Sequence, residues 1–249
     1  MLSQEGPALA VGDVNNDGNE DFYIGGAKNQ SGTLYLHLGN GKFRKSLQKA
    51  FVKDVSFEDT AASFFDANGD GSLDLMVGAG GNELEDQKNY KARLYLNNGK
   101  GNFTSAKQEI PALRKNIAIV APCDFDKDGD MDVFIGGRSV VATYGINPAH
   151  QFLENNGDGT FEDTTEKVAY DVKNAGMITN AIWVDIDKDG KKDLVTVSEW
   201  DTPKIYKNNG RRLIKQETSL DSLQGMWNVV EAADLDKDGD IDFVFGNQV

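Results

Sequence analysis

Short runs of branched and aromatic residues recur along the chain, most of them closing on glycine: DFYIGG (21–26), DLMVGAGG (74–81), DVFIGG (132–137), DLVTVS (193–198) and DFVFGN (242–247). Their length and composition predict β-strands. Apolar stretches also stand just before them, as in PALAVGD (7–13), NIAIVAPCD (116–124) and NAIWVD (180–185), so each run is one arm of a strand–loop–strand unit. The first four units continue with a third strand, a tight turn and a fourth: TLYLHLGNGKF (33–43), ARLYLNNGKGNF (92–103), HQFLENNGDGTF (150–161) and PKIYKNNGRRL (203–213). An Asn-Gly or Gly-Asp-Gly step between apolar runs predicts a hairpin, because both turn positions accept positive φ. No stretch holds a 3.6-residue apolar period over three turns, and residues 165–180 fit the strand scheme least well. Four antiparallel strands repeating every 49 to 61 residues predict an all-β fold, a β-propeller built of four-stranded blades. The blades fall at approximately 7–58, 59–115, 116–175, 176–225 and 226–249, four complete and half of a fifth, in one domain.

The loop between the first two strands has the same grammar in every unit. The windows DVNNDGNED, DANGDGSLD, DFDKDGDMD, DIDKDGKKD and DLDKDGDID share D-x-[DN]-x-D-G-x-x-D. Oxygen-bearing side chains at alternate positions, followed by a glycine that lets the chain turn sharply, wrap around one hard cation. Position 9 is Asp throughout, whereas position 7 has no common side chain, as a ligand offering its backbone carbonyl would permit. The predicted ligand sets are Asp13, Asn15, Asp17, Asn19 and Asp21; Asp66, Asn68, Asp70, Ser72 and Asp74; and Asp124, Asp126, Asp128, Asp130 and Asp132. The fourth loop offers Asp185, Asp187, Asp189, Lys191 and Asp193, and the fifth Asp234, Asp236, Asp238, Asp240 and Asp242. In each set the residue at position 7 (Asn19, Ser72, Asp130, Lys191, Asp240) acts through its carbonyl. The expected ion is Ca²⁺, about five in all and one per loop, since calcium takes six to eight oxygens and tolerates irregular geometry. Carboxylates held within ~5 Å repel by about 1 kcal/mol per pair even in water, so the ion is expected to order the loops. Asn15 and Asn68 replace a carboxylate and predict weaker binding in the first two loops. An EF-hand would need Glu at position 12, where Ile24, Val77, Ile135, Thr196 and Phe245 stand.

Charge sharpens this picture. Of 249 residues, 40 are acidic and 26 basic, a net charge of −14, and the five windows hold 21 of the acids but only five lysines. The remainder is nearly balanced, so the acidity belongs to five places and not to a solvated face or a disordered tail. It argues against nucleic acid as a partner. No apolar run approaches the roughly 18 residues of a membrane-spanning helix. Cys123 is the only cysteine, so no intrachain disulfide and no Cys/His zinc pattern is available. The start, MLSQEGPALA, has no basic region followed by an apolar stretch, so any secretion signal is expected to be absent or already removed.

The phrases VGDVNNDGNEDFYIGG and DFDKDGDMDVFIGG resemble the FG-GAP/VCBS repeat of integrin α-subunit propellers and many secreted bacterial proteins. FEDT at 57–60 and again at 161–164 resembles the bacterial branch related to cartilage acidic protein and ASPIC/UnbV proteins. The resemblance covers essentially the whole chain. It implies Ca²⁺ ligands at loop positions 1, 3, 5 and 9 by side chain and 7 by backbone, in agreement with the residue reading. Family propellers commonly have seven blades, so the half-blade at the end implies an excised piece, an open arc, or completion by further blades of a longer chain or by another subunit. An arc would leave apolar faces and strand edges uncovered.

No catalytic constellation stands out. His37 and His150 sit in strand-like contexts and read as packing or surface residues, and Cys123 reads as a small buried residue with no base arranged for it. Trp183 and Trp227, in or beside first strands, read as core. If the cation loops emerge at one face, the loops between second and third strands emerge at the other: 27–32, 81–92, 138–149 and 199–203. They vary in length and carry Lys28, Asn82, Glu83, Arg138, Tyr144, Glu199 and Trp200, the candidate ligand-binding residues. The alternative for Tyr144 and Trp200 is that they cap blade ends. The expected function is a secreted, periplasmic or cell-surface interaction or adhesion module, binding a protein or glycan partner, without enzymatic activity. Such loops fill where free calcium is near millimolar. A carbohydrate-active propeller, either glycan-binding or lyase-type, and a purely structural spacer are the alternatives.

Overall fold

The computed structural model describes residues 6–81, 90–111 and 115–248. Its first sheet comprises β1 (Leu9–Gly12), β2 (Asp21–Ile24), β3 (Thr33–His37) and β4 (Phe43–Ser46). After a short helix, α1 (Lys49–Lys53), the second sheet follows with β5 (Asp59–Phe65), β6 (Asp74–Ala79), β7 (Ala92–Asn97) and β8 (Phe103–Ser105). The third contains β9 (Lys115–Cys123), β10 (Asp132–Val140), β11 (Gln151–Asn155) and β12 (Phe161–Asp163), and α2 (Thr165–Val168) trails it. The fourth contains β13 (Met177–Val184), β14 (Asp193–Glu199), β15 (Lys204–Asn208) and β16 (Leu213–Lys215). A 3-10 turn at Ser219–Ser222 leads to a two-stranded sheet of β17 (Trp227–Ala233) and β18 (Asp242–Asn247). Every sheet is an antiparallel meander in chain order, the arrangement of propeller blades.

The core lies between the sheets. Leu75 and Val77 of β6 pack into a cluster with Tyr23, Leu34 and Leu36 of the first sheet, while Met76 joins Val133, Ile135 and Leu153 of the third. In β10 the same alternation sends Val133 and Ile135 back to the second sheet and Phe134 forward to the fourth. Alternate side chains therefore serve alternate neighbours, and a strand covered on both sides reads as an unbroken apolar run. The first strands of successive sheets, β1, β5, β9, β13 and β17, also lie against one another in order.

A buried asparagine at the end of each third strand ties each sheet to the one before. Asn97 donates to Val14 O at 2.7 Å, Asn155 to Ala67 O at 3.0 Å and Asn208 to Phe125 O at 2.8 Å. Each acceptor is position 2 of the preceding sheet's acidic loop. Among the described residues no sheet precedes the first, and His37 takes this place: its ring stacks on Phe43 with centroids 4.6 Å apart, and its buried Nε2 has no hydrogen-bond partner.

Two sequence expectations change. β10 and β14 run further than the apolar pattern suggested, so Arg138 and Glu199 are strand residues and not loop residues. The two FEDT copies occupy non-equivalent places, 161–163 forming the fourth strand β12 and 57–60 leading into the first strand β5. At the latter, Asp59 accepts from Tyr23 OH at 2.7 Å and from Gly26 N–H at 2.8 Å and pairs with Arg93, whose guanidinium sits 4.1 Å from the Phe57 ring centroid. That copy is a buried anchor between two blades. The poorly fitting 165–180 contains α2, the turns after it and the start of β13.

Candidate functional site

All five acidic loops fold by one internal hydrogen-bond ladder. The position 3 side-chain oxygen accepts from the position 5 N–H: Asn15 from Asp17 at 3.0 Å, Asn68 from Asp70 at 3.1 Å, Asp126 from Asp128 at 3.3 Å, Asp187 from Asp189 at 3.3 Å and Asp236 from Asp238 at 3.1 Å. The position 5 carboxylate then accepts from the position 7 N–H at 2.8 to 2.9 Å in every loop. In four loops the position 1 carboxylate also accepts from the position 6 glycine, as Asp13 does from Gly18 at 2.8 Å. Those glycines have φ between +80° and +100°, the freedom the sequence reading assigned to them. A second positive φ, at position 4, leaves a sequence signal only at Gly69; Asn16, Lys127, Lys188 and Lys237 hold φ of +56° to +66° there.

Position 9 is the deepest member. Asp21, Asp74, Asp132 and Asp193 are buried, and each carboxylate is pinned by two main-chain donors, one from loop position 2 and one from the third strand. For Asp132 these are Phe125 N–H at 3.3 Å and Asn155 N–H at 2.9 Å. Asp242 keeps the first contact, from Leu235 N–H at 3.0 Å. Burial pushes the Asp132 carboxyl up to about 7 and that of Asp74 up to about 6, against the pull of the two N–H donors. A divalent cation beside them would reverse that penalty.

The donor set suits a hard cation. Asp124, Asp126 and Asp128 bring carboxylate oxygens within 4.8 Å of one another, as do Asp185, Asp187 and Asp189, and Asp234, Asp236 and Asp242. The Oδ1 atoms of Asp124 and Asp185 are buried without any hydrogen-bond partner, an arrangement that a bound ion would satisfy. In the first two loops the Asn15 and Asn68 amides instead donate to Asp17 at 3.0 Å and Asp70 at 3.1 Å. The fourth loop carries competing cations: Lys191 Nζ lies 2.9 Å from Asp189 Oδ2, and Lys207 pairs with Asp187. Lys207 lies on the third strand, outside the loop window, where the spacing argument did not reach.

On the opposite face, four of the candidate ligand-binding residues meet across two sheets. Arg138, near the end of β10, pairs with Glu199 at the end of β14 through Nε at 2.8 Å and through Nη2. Tyr144 OH donates to the other Glu199 oxygen at 2.7 Å, and Trp200 Nε1 donates to Tyr144 OH at 2.9 Å. Glu199 is buried, while both aromatic rings are exposed. Lys28 lies on the equivalent loop of the first sheet, and Asn82 and Glu83 fall outside the described residues.

The remaining reactive groups are engaged in structure. His150 is buried, with Nδ1 accepting from Gly137 N–H at 3.0 Å and Nε2 3.0 Å from Gly176 O, which fixes a neutral tautomer; burial lowers its pKa to about 3. Burial raises the Cys123 thiol to about 12. Trp183 donates to Ala121 O at 3.0 Å, and Trp227 packs edge-on against Phe245. Buried Lys115 donates to Ala149 O at 2.8 Å, and its pKa falls to about 7 by desolvation.

Comparison with known proteins gives a consistent result. The FG-GAP-like repeat family matches residues 13–77, 81–135, 140–196 and 185–245. Cartilage acidic protein 1 from Mus musculus is 24% identical over 193 residues, covering 76% of this chain and 28% of that protein, and the Xenopus tropicalis protein is 26% identical over 201. The chain thus spans little more than a quarter of these relatives. Among solved structures, the Dos1 propeller aligns over 97% of the chain and 54% of its own, with a TM-score of 0.52 at 11% identity. The V. cholerae biofilm matrix protein Bap1 aligns over 96% of the chain and 34% of its own, with a TM-score of 0.51 at 16% identity.

Proposed function

Because the chain belongs to the FG-GAP-like repeat family, we propose that it is a calcium-stabilised interaction module that holds its partner on the loops opposite the cation sites. The observation that carries this reading is the repeated acidic loop, in which buried Asp124 Oδ1 and Asp185 Oδ1 have no partner. Bound Ca²⁺ supplies the counter-charge that lets several carboxylates share one loop. The ion is structural: it fixes the strand-to-strand turn and thereby the blade, while recognition belongs to the opposite loops. Sites of this kind fill in calcium-rich extracellular or periplasmic surroundings. Further blades, from a longer chain or another subunit, would complete the propeller.

Native mass spectrometry with calcium and after chelation tests the reading. About five ions are expected, by one per loop. Few or none would overturn it.

A further inference from the structure

The aromatic pair on the loop face presents ring surfaces and little else. Tyr144 is 50% exposed and Trp200 59%, yet the polar atoms of both are already engaged. The indole N–H goes to the Tyr144 hydroxyl and that hydroxyl to Glu199, whose other oxygen takes the Arg138 guanidinium. The Glu199 carboxylate is buried and its charge is matched by Arg138, so neither aromatic ring has an unmatched charge among its described hydrogen-bond partners. The same chain of bonds fastens the β10–β11 connection to the start of the β14–β15 connection, which come from different sheets. The backbone pays in strain: Trp200 holds φ +58° and Ala142 φ +62°, a region that bulky residues rarely enter. An exposed indole kept in such a conformation points to an orientation that matters.

We infer that Tyr144 and Trp200 form a stacking platform for neutral hexopyranose units of a glycan, and this rests on the reading of the loop face as the recognition surface. An aromatic face is electron-rich and attracts the C–H side of a pyranose ring. The same loops carry exposed Thr143 and Asn147 and half-buried Thr202, polar groups of the kind that suit the hydroxyl edge of a sugar. An anionic ligand would find the Arg138 guanidinium already neutralised by Glu199. Because the rings are fastened beforehand, little ordering entropy is lost on binding, which favours a ligand that gains only stacking energy.

The test is titration of the calcium-loaded chain with cellotetraose, laminaritetraose, mannotetraose, galactotetraose and chitotetraose, followed by tryptophan fluorescence and calorimetry. At least one tetrasaccharide is expected to bind, and Trp200→Gly to weaken it by at least about tenfold. The melting temperature of Trp200→Gly should not fall, since glycine accepts the positive φ that tryptophan strains to hold. Trp200→Phe should retain part of the affinity and Trp200→Leu should lose it, because only the former keeps a π-face. Failure of every sugar to bind overturns the inference, as does equal binding by the Phe and Leu variants. Binding of a polyproline hexapeptide but of no sugar, lost in Trp200→Gly, overturns the ligand class while leaving the face a recognition surface.

Discussion

Asp132 holds its loop to the sheet before any ion is considered, because its two oxygens take main-chain donors from Phe125 and Asn155. Asp128 is exposed and accepts within the loop from Asp130 N–H at 2.9 Å. The two should respond differently to the same chemical change. Asp132→Asn leaves one of the two buried N–H donors facing an amide NH₂ and is expected to cost about 1 to 3 kcal/mol even in chelator. Asp128→Asn is expected to cost under about 0.5 kcal/mol in chelator, as an exposed substitution, and to remove most of the calcium-dependent gain. Thermal melts of both variants with and without calcium separate the effects, and parallel behaviour would sink the distinction. His150 gives a pH signature of known sign. Its folded pKa of about 3 lies below the unfolded value near 6.5, so the unfolded chain binds the additional proton between them. Its contribution is complete above about pH 6.5 and declines by up to about 1.4 kcal/mol per unit as pH falls towards 3. The stability advantage of wild type over His150→Gln should therefore shrink from pH 7 to pH 4 in denaturant titrations; carboxylate titrations common to both chains cancel.

The blade as an element depends on the asparagine that ends its third strand. Asn155 donates to Ala67 O of the previous sheet and to Met131 O of its own at 3.1 Å, so Asn155→Ala strips two carbonyls at once. A loss of about 1 to 3 kcal/mol is expected in denaturant unfolding. Neighbouring Asn156 is exposed and reaches Thr160 Oγ1 at 2.9 Å, so Asn156→Ala should stay within about 0.5 kcal/mol. The Asn-Gly step reads from sequence as a turn, and Asn156 does lie at the hairpin turn, though positive φ falls on Gly157 and Gly159 and not on the asparagine; Asn155 just before it has turned inward, which a local motif does not reveal. Strand identity was legible because period-2 alternation and double-sided burial leave their mark on composition. Helix α1 was not: its five residues bury Ala50 and Phe51 against the first interface, too short a segment to carry a period. The ends of β10 and β14 were likewise hidden, since Arg138 and Glu199 are polar residues whose extended conformation is set by pairing across the sheet and by each other. Among the cation loops, spacing alone exposed the carboxylates, whereas the rival Lys207 comes from another strand of the same blade.

Whole-molecule architecture makes the two end sheets unlike the rest. Phe43 of β4 is 45% exposed, while its counterparts Phe103, Phe161 and Leu213 are 2 to 4% exposed under the preceding sheet. With Leu9, Val11, Phe22 and His37 it lines an open groove of about 640 Å³. At the other end, Leu235 is 62% exposed where Val14, Ala67 and Phe125 are 0 to 4%, because no further sheet packs on β17 and β18 among the described residues. Each end thus displays half of an interface that the chain builds three times internally between its complete blades. His37 stands where Asn97, Asn155 and Asn208 reach a loop carbonyl, but its Nε2 is buried and makes no such bond. Apolar side chains left exposed on an uncovered sheet face favour association in water. The isolated chain in calcium is expected to bind a hydrophobic dye and to associate reversibly in sedimentation equilibrium. Phe43→Lys should shift it towards monomer and reduce dye binding. Since Phe43 is already half exposed and packs only on Phe22 and His37 of its own sheet among the ring contacts, its replacement should move the unfolding midpoint far less than Phe103→Ala, for which a loss of about 3 to 5 kcal/mol is expected. A monomeric wild type that binds no dye would mean that the end faces are closed in solution, and the equivalence between end and internal interfaces would fail with it.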